Sequence, residues 1–265
     1  MIKTVLLQKI RASEKISSSI QSHFQKGVFM TPESPFKWRH YEGEIIMLCV
    51  RWYLRYPLSY RNLEEMMEER KLNVDHTTIY RWVQKYSPEL EKRCRRYLKP
   101  TNDSYRVDET YIKIRGKWRY LYRAVDSRGN TIDFMLSAKR NMHAAKRFFK
   151  KAFKASHSKK PRVVNVDKNP AYSPAMEELK KENCVSKDCK LRQVKYLNNI
   201  VEQDHRFIKR VVNPGLGFSS FNTARRTLKG YEAMHMIRKG QIEGVGKGEI
   251  VSQVKFIEKL FGIAV

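Results

Sequence analysis

Asp108, Asp167 and Glu202 are the residues of this chain whose types and spacing could do chemistry, with thirty-four residues between the second and the third. Three carboxylates brought to one place form a hard oxygen donor set. Such a set suits magnesium, which keeps several waters and needs no His or Cys cage. Two such ions roughly 3.5–4 Å apart can ionise an attacking water or 3′-hydroxyl, stabilise the leaving oxygen and hold both in line across a phosphodiester. Each acid also has a bland explanation: Asp108 as a polar residue tolerated on a strand, Asp167 as a turn residue before Asn169-Pro170, and Glu202 as the third residue of a capping box opened by Asn199. The elements that carry the acids decide between these accounts.

From about residue 105 the pattern is that of strands. Residues 105–114 alternate, with Val107, Glu109 and Tyr111 on one face and Arg106, Asp108, Thr110 and Ile112 on the other. Turns at Arg115-Gly116 and at residues 127–130 divide this strand from two more, over 118–125 and 131–136. A helix over 142–155, a short apolar strand over 162–166 ending on Asp167, a helix over 173–182, a fifth strand near 191–196 and a helix over 199–212 complete the series. The order βββαβαβα predicts an α/β, ribonuclease-H-like catalytic domain, a mixed five-stranded sheet with flanking helices. In that fold one acid lies on the first strand, one after the fourth and one on a late helix, where Asp108, Asp167 and Glu202 fall. His205, Arg206 and Lys209 follow Glu202 at i+3, i+4 and i+7, so three potential cations share its face and could hold a phosphate.

Residues 37–100 read as an all-α domain. Helices are expected over 44–54, ending at Tyr56-Pro57, over 60–70 with Ser59 as cap, and over 76–86 with Asp75 as cap and Ile79, Trp82 and Val83 inward. Two capped helices joined by a short turn outline a helix-turn-helix, whose second helix would offer His76, Thr77, Tyr80, Arg81, Gln84 and Lys85 to base edges. A helical hairpin with a solvated polar face has the same outline. The remaining divisions are 1–36, a partly helical extension without an assigned role, 101–213, the catalytic domain, and 214–265, a C-terminal helical region.

Composition points to a polyanionic partner, since 54 Lys+Arg against 27 Asp+Glu leave a formal charge of +27. The longest apolar run, Ile45 to Val50, is far shorter than the roughly 20 residues of a spanning helix, and polar residues break the N-terminal stretch too early for a signal peptide. Cys49, Cys94, Cys184 and Cys189 form no CxxC pair, which disfavours structural zinc and fits free thiols in a reducing compartment. A cytoplasmic, DNA-associated protein without a membrane partner is expected.

Several segments resemble one family closely. Arg106-Val-Asp-Glu-Thr-Tyr-Ile-Lys113, Gly116-Lys-Trp118, Tyr120-Leu-Tyr-Arg-Ala-Val-Asp126, Val166-Asp-Lys-Asn-Pro-Ala-Tyr172 and Tyr196-Leu-Asn-Asn-Ile-Val-Glu-Gln-Asp-His-Arg206 are similar to the bacterial insertion-sequence transposases of the sixth family. So are Leu54-Arg-Tyr-Pro-Leu-Ser-Tyr-Arg-Asn-Leu63, Thr78-Ile-Tyr-Arg-Trp-Val83 and residues 224–230, so the resemblance spans about residues 37–240. It implies a DDE transposase with Asp108, Asp167 and Glu202 as catalytic, metal-holding triad. Two magnesium ions would serve, with manganese as a substitute. The basic residue seven positions after the last acid corresponds to Lys209, a contact to the transposon end. Such enzymes bind terminal inverted repeats in double-stranded DNA, expose 3′-hydroxyls and join them to target DNA, here by a replicative cointegrate route and as a homodimer. The alternatives are a regulator of transposase descent that binds without cutting, and an RNA:DNA hybrid nuclease. Three carboxylates facing phosphates disfavour the first, and a unit that reads duplex DNA disfavours the second.

Overall fold

A computed structural model describes residues 35–36, 41–194 and 199–263. The helices expected in the N-terminal extension, and the expected end of the fifth strand at Tyr196, lie outside the described residues. The described residues from 41 onward form one compact unit.

The helical layer begins with α1 (Gly43–Arg55), which buries Ile46, Met47, Cys49, Val50 and Leu54 and stops before Pro57. Helix α2 (Tyr60–Glu68) opens with a reciprocal cap: Asn62 N–H donates to Ser59 Oγ at 3.0 Å and Ser59 N–H to Asn62 Oδ1 at 2.9 Å. Helix α3 (His76–Cys94) starts at Asp75, whose Oδ1 accepts the N–H groups of Thr77 and Thr78 at 2.9 and 3.0 Å. It runs well past the expected end at 86. Pro88 forfeits one ladder hydrogen bond, but Leu90, Glu91 and Cys94 continue the buried face beyond it, and that burial outweighs the loss.

The sheet is built from β1 (Ser104–Ile114), β2 (Lys117–Asp126), β3 (Thr131–Ser137), β4 (Val163–Val166) and β5 (Lys190–Gln193), in the order β3-β2-β1-β4-β5. Strands β1 to β3 form an antiparallel meander, while β4 runs parallel to β1 and β5 parallel to β4. That is the ribonuclease-H-like arrangement. The β1–β2 turn uses Arg115 at φ 49° and Gly116 at φ 73°, the two positive values of a tight hairpin.

One sheet face carries Tyr105, Val107, Tyr122, Ala124, Val164 and Val166 against Phe148 and Phe149 of α4 (Met142–Phe153) and Ala175 and Met176 of α5 (Tyr172–Lys181). Each fully buried Phe there contributes roughly 1.5–3 kcal/mol. Helix α6 (Asn199–Val212) packs on β1 and β2 through the opposite face, burying Val201, His205, Ile208 and Val212. Helix α7 (Phe221–Arg238) then returns to the helical layer, and α8 (Ile250–Leu260) follows. At Gly230 of α7 a Cβ would lie 2.6 Å from Ser87 Oγ and 2.7 Å from Leu54 Cδ2, so glycine allows this close approach. The C-terminal region thus completes the layer begun by α1 to α3.

Candidate active site

Asp108 lies on β1 directly opposite Arg123 of β2. Glu202 stands in the first turn of α6 and is exposed. Strand alternation and the helix that crosses it bring Asp108, Asn199, Glu202, His205, Arg206 and Lys209 to line one cleft of about 530 Å³. Asp167 comes immediately after β4 and does not line that cleft. Its Oδ1 accepts Asn169 N–H and its Oδ2 accepts Arg140 Nη2, both at 3.1 Å. Burial pushes the Asp108 carboxyl up to about 7, and the negative charges of Glu109, Asp167 and Glu202 reinforce the rise.

Two groups behind the acids are not singled out by sequence. Glu109, the next residue on β1 and so on the other face, is buried and accepts hydrogen bonds from Arg140, from the Tyr172 hydroxyl and, at 3.3 Å, from Asn169 Nδ2. Arg140 therefore bridges Glu109 and Asp167. On the Asp108 face, the fully buried Arg123 donates through Nη2 to Asp204 Oδ2 of α6 at 2.6 Å and through Nε to Glu232 Oε1 of α7 at 2.7 Å. Asp204 also meets His235 Nε2 at 2.5 Å and Lys239 Nζ at 3.4 Å. The readable signal is Arg123 itself, a charge within the apolar run from Leu121 to Val125.

Two of the expected DNA contacts are buried. His205 is only 4% exposed, packed with Nδ1 3.8 Å from Asp108 Oδ2, and burial drives its imidazole down to about 3. Burial thus disfavours its charged form, and its Nδ1 faces Asp108 on the sheet. Gln84 is 8% exposed and gives its amide to Thr227 Oγ1 of α7 at 2.8 Å, because α7 covers that side of α3. His76 is partly covered, with Nδ1 3.0 Å from Glu64 Oε2. Thr77, Arg81 and Lys85 are exposed, as are Arg206 and Lys209 in the cleft. Arg81 and Lys85 join Arg225, Arg226 and Lys229 of α7 along a furrow of about 690 Å³ that no acidic residue lines.

Among the described residues, no three His, Cys, Asp or Glu side chains stand close enough to grip an ion unaided. The donor chemistry still fits a hard divalent cation, because magnesium is commonly held by one or two carboxylates, waters and the substrate's own phosphates. Mutual repulsion among the acids around Asp108 is the electrostatic setting that such a cation relieves.

A family model described as a DDE domain matches residues 102–241. The transposase for insertion sequence-like element IS431mec of Staphylococcus aureus is 42% identical over 204 residues, covering 77% of this chain and 88% of that protein. The transposase for insertion sequence element IS257 in transposon Tn4003, also of Staphylococcus aureus, matches with the same identity and coverage. Among solved structures, the HTLV-2 integrase catalytic core domain in complex with magnesium is 17% identical, with a TM-score of 0.39, over 57% of this chain and 94% of that one. The catalytic core domain of BIV integrase is 15% identical, with a TM-score of 0.39, over 59% and 97%. Among the described residues, no helix is long and apolar enough to cross a membrane. With the DDE domain matched over more than half its length and close identity to insertion-sequence transposases beyond it, the chain belongs to the DDE transposases of bacterial insertion sequences, in the sixth family.

Proposed function

We propose that the chain binds the terminal inverted repeats of its insertion sequence, cuts there to expose 3′-hydroxyls and transfers them to target DNA, with Asp108, Asp167 and Glu202 as the catalytic acids. The observation that carries this reading is the cleft shared by Asp108 and Glu202, acids from a strand and a helix far apart in sequence, with Arg206 and Lys209 on its rim. Asp108 and Glu202 would hold magnesium, with Asp167 added once Arg140 shifts toward DNA phosphate, and manganese would substitute. Bound there, two such ions supply an ionised nucleophile and a stabilised leaving oxygen. The chain's own cations do the rest: Arg206 and Lys209 hold the scissile strand's phosphates beside the acids. Purified protein incubated with a labelled terminal-repeat duplex should nick it at the repeat boundary only when magnesium or manganese is added, and should bind it in either case. Binding without cutting in both metals would remove the enzymatic reading. The replicative cointegrate route and the homodimer follow from the family resemblance; sequencing joined products and sedimentation of the DNA complex test them.

Helices α2 and α3 act in this reading as a helix-turn-helix, with Thr77 and Arg81 at base edges and the furrow cations on phosphate. The two roles predict different losses. Arg81→Ala should flatten the preference for the repeat over unrelated duplex, by about 1–3 kcal/mol. Arg225→Ala with Arg226→Ala should weaken both duplexes alike and reduce the slope of log affinity against log salt by about 1.8, at about 0.9 per lost phosphate contact. Filter binding at four salt concentrations separates them, and an unchanged slope would take the furrow off the DNA path.

A further inference from the structure

The β1–β2 hairpin presents aromatic side chains that the catalytic reading leaves unused. Tyr111 pairs with Tyr120 and Lys113 with Trp118 across the two strands, so all four side chains share one face. Deeper along that face Val107 and Tyr122 are covered by α4 and α5. Toward the hairpin tip the cover ends, leaving Tyr111 50% and Trp118 60% exposed. The rings are organised: Tyr111 meets Trp118 edge-on at 6.3 Å and 82°, and packs against Tyr120 at 5.5 Å. Exposed aromatic surface of this kind, held in fixed geometry, marks a binding face.

Charge selects the occupant. Lys113 shares the face of the rings and Arg115 stands exposed in the turn beside them, while Lys117 and Arg119 alternate to the opposite face, and residues 110–125 contain no acid. Among the described residues none of these four cations is paired with a carboxylate; Arg115 and Arg119 donate only to the backbone carbonyls of Ser219 and Ala138. A second copy of a chain with charge +27 is repelled from such a face. A polyanion that carries π-faces is not. Tyr111 also lines the cleft of Asp108 and Glu202, three residues or about 10 Å along β1 from Asp108. We infer that Trp118 and Tyr111 form a stacking platform for an unpaired nucleobase of the DNA strand whose phosphates lie in the cleft. The inference rests on the DNA-cutting reading above and adds what becomes of the base pair at the reacting end: it is opened, and one base is held on the hairpin.

The full chain is tested with two terminal-repeat duplexes, one fully paired and one with its last two positions mismatched, each carrying 2-aminopurine at the end. The unaltered chain should favour the mismatched end and quench its fluorescence. Trp118→Ala should remove the quenching and weaken the mismatched duplex roughly 5- to 150-fold, the span of one base–aromatic stack, while leaving the paired duplex nearly unchanged. Trp118→Phe should restore most of the preference. Equal affinity of the unaltered chain for both ends, or a preference that survives Trp118→Ala, overturns the platform alone. If Trp118→Ala instead converts the DNA-free protein to a smaller species by sedimentation and keeps the preference, the face is a protein interface and the inference fails. No binding of either duplex by the unaltered chain overturns both this inference and the reading beneath it.

Discussion

Asp108→Asn should reduce metal-dependent cleavage and strand transfer at least 1000-fold, a loss of about 4 kcal/mol in transition-state stabilisation, while binding terminal-repeat DNA as tightly as the parent or slightly more so. Asparagine keeps the shape of the side chain and removes the charge. In the proposed reading a metal would lose a ligand at the heart of the cleft, whereas DNA phosphates there would lose a nearby negative charge that opposes them. The same substitution makes a second, independent claim through stability. Asp108 sits in a folded environment that raises its carboxyl from an ordinary 3.8 to about 7, burial first and neighbouring acids second. A carboxyl raised in the folded state binds more protons there than in the unfolded chain, so its ionisation costs stability. That cost is absent below about pH 4, grows as pH rises toward 7 and is full above it. At about 1.4 kcal/mol per pKa unit, the Asn variant should be more stable than the parent at pH 8 by an amount on the order of 1–4 kcal/mol, and no more stable at pH 4. Urea unfolding at the two pH values in chelator reads this directly. Retained strand transfer sinks the catalytic role, and an equal stability difference at both pH values sinks the electrostatic one.

The parts of this site that local pattern dictates are legible in the amino-acid sequence. Period-two alternation over 105–114 puts Asp108 and Glu109 on opposite faces, and β1 keeps them there. Ser59, Asp75 and Pro57 mark helix ends because capping and the missing proline N–H act within one turn. What escapes is decided by partners more than a hundred residues away, or nearly so. Gln84 and His205 are polar, and polarity reads as exposure; α7 covers the first, and the sheet covers the second. Neither covering surface is encoded in the segment it covers. The reach of α3 past Pro88 has the same origin, since burial of Leu90 and Cys94 in the assembled layer overrides a local signal to stop. Arg123 is the instructive miss. A charge in an apolar strand demands a buried counter-charge, so its existence implies partners without naming them.

Those partners define the largest expected change in stability. Arg123→Leu should cost about 3–5 kcal/mol, because it leaves Glu232 and Asp204 in the interior without the guanidinium that both accept from. Glu232 is the more exposed to this loss in energetic terms. It has no surface access, and both of its carboxylate oxygens bond to Arg123, at 2.7 and 2.9 Å. Asp204 keeps His235 and Lys239, so its share of the penalty is smaller. Replacing both members of the tighter pair, Arg123→Leu with Glu232→Leu, removes the stranded charge and should recover more than half of the lost stability, since a buried ion pair often yields to apolar side chains at little cost. Activity should not follow stability back. Arg123 is the cross-strand neighbour of Asp108, and Asp204 is two residues from Glu202, so the Arg123–Asp204 bond ties β2, the strand paired with the one that bears Asp108, to the helix that bears Glu202. The double variant restores the fold and not that tie. Denaturant unfolding paired with cleavage assays on the refolded proteins distinguishes the two effects. A single-variant loss below about 1 kcal/mol contradicts the burial argument, and full activity in the double variant shows that α6 is placed by apolar packing alone.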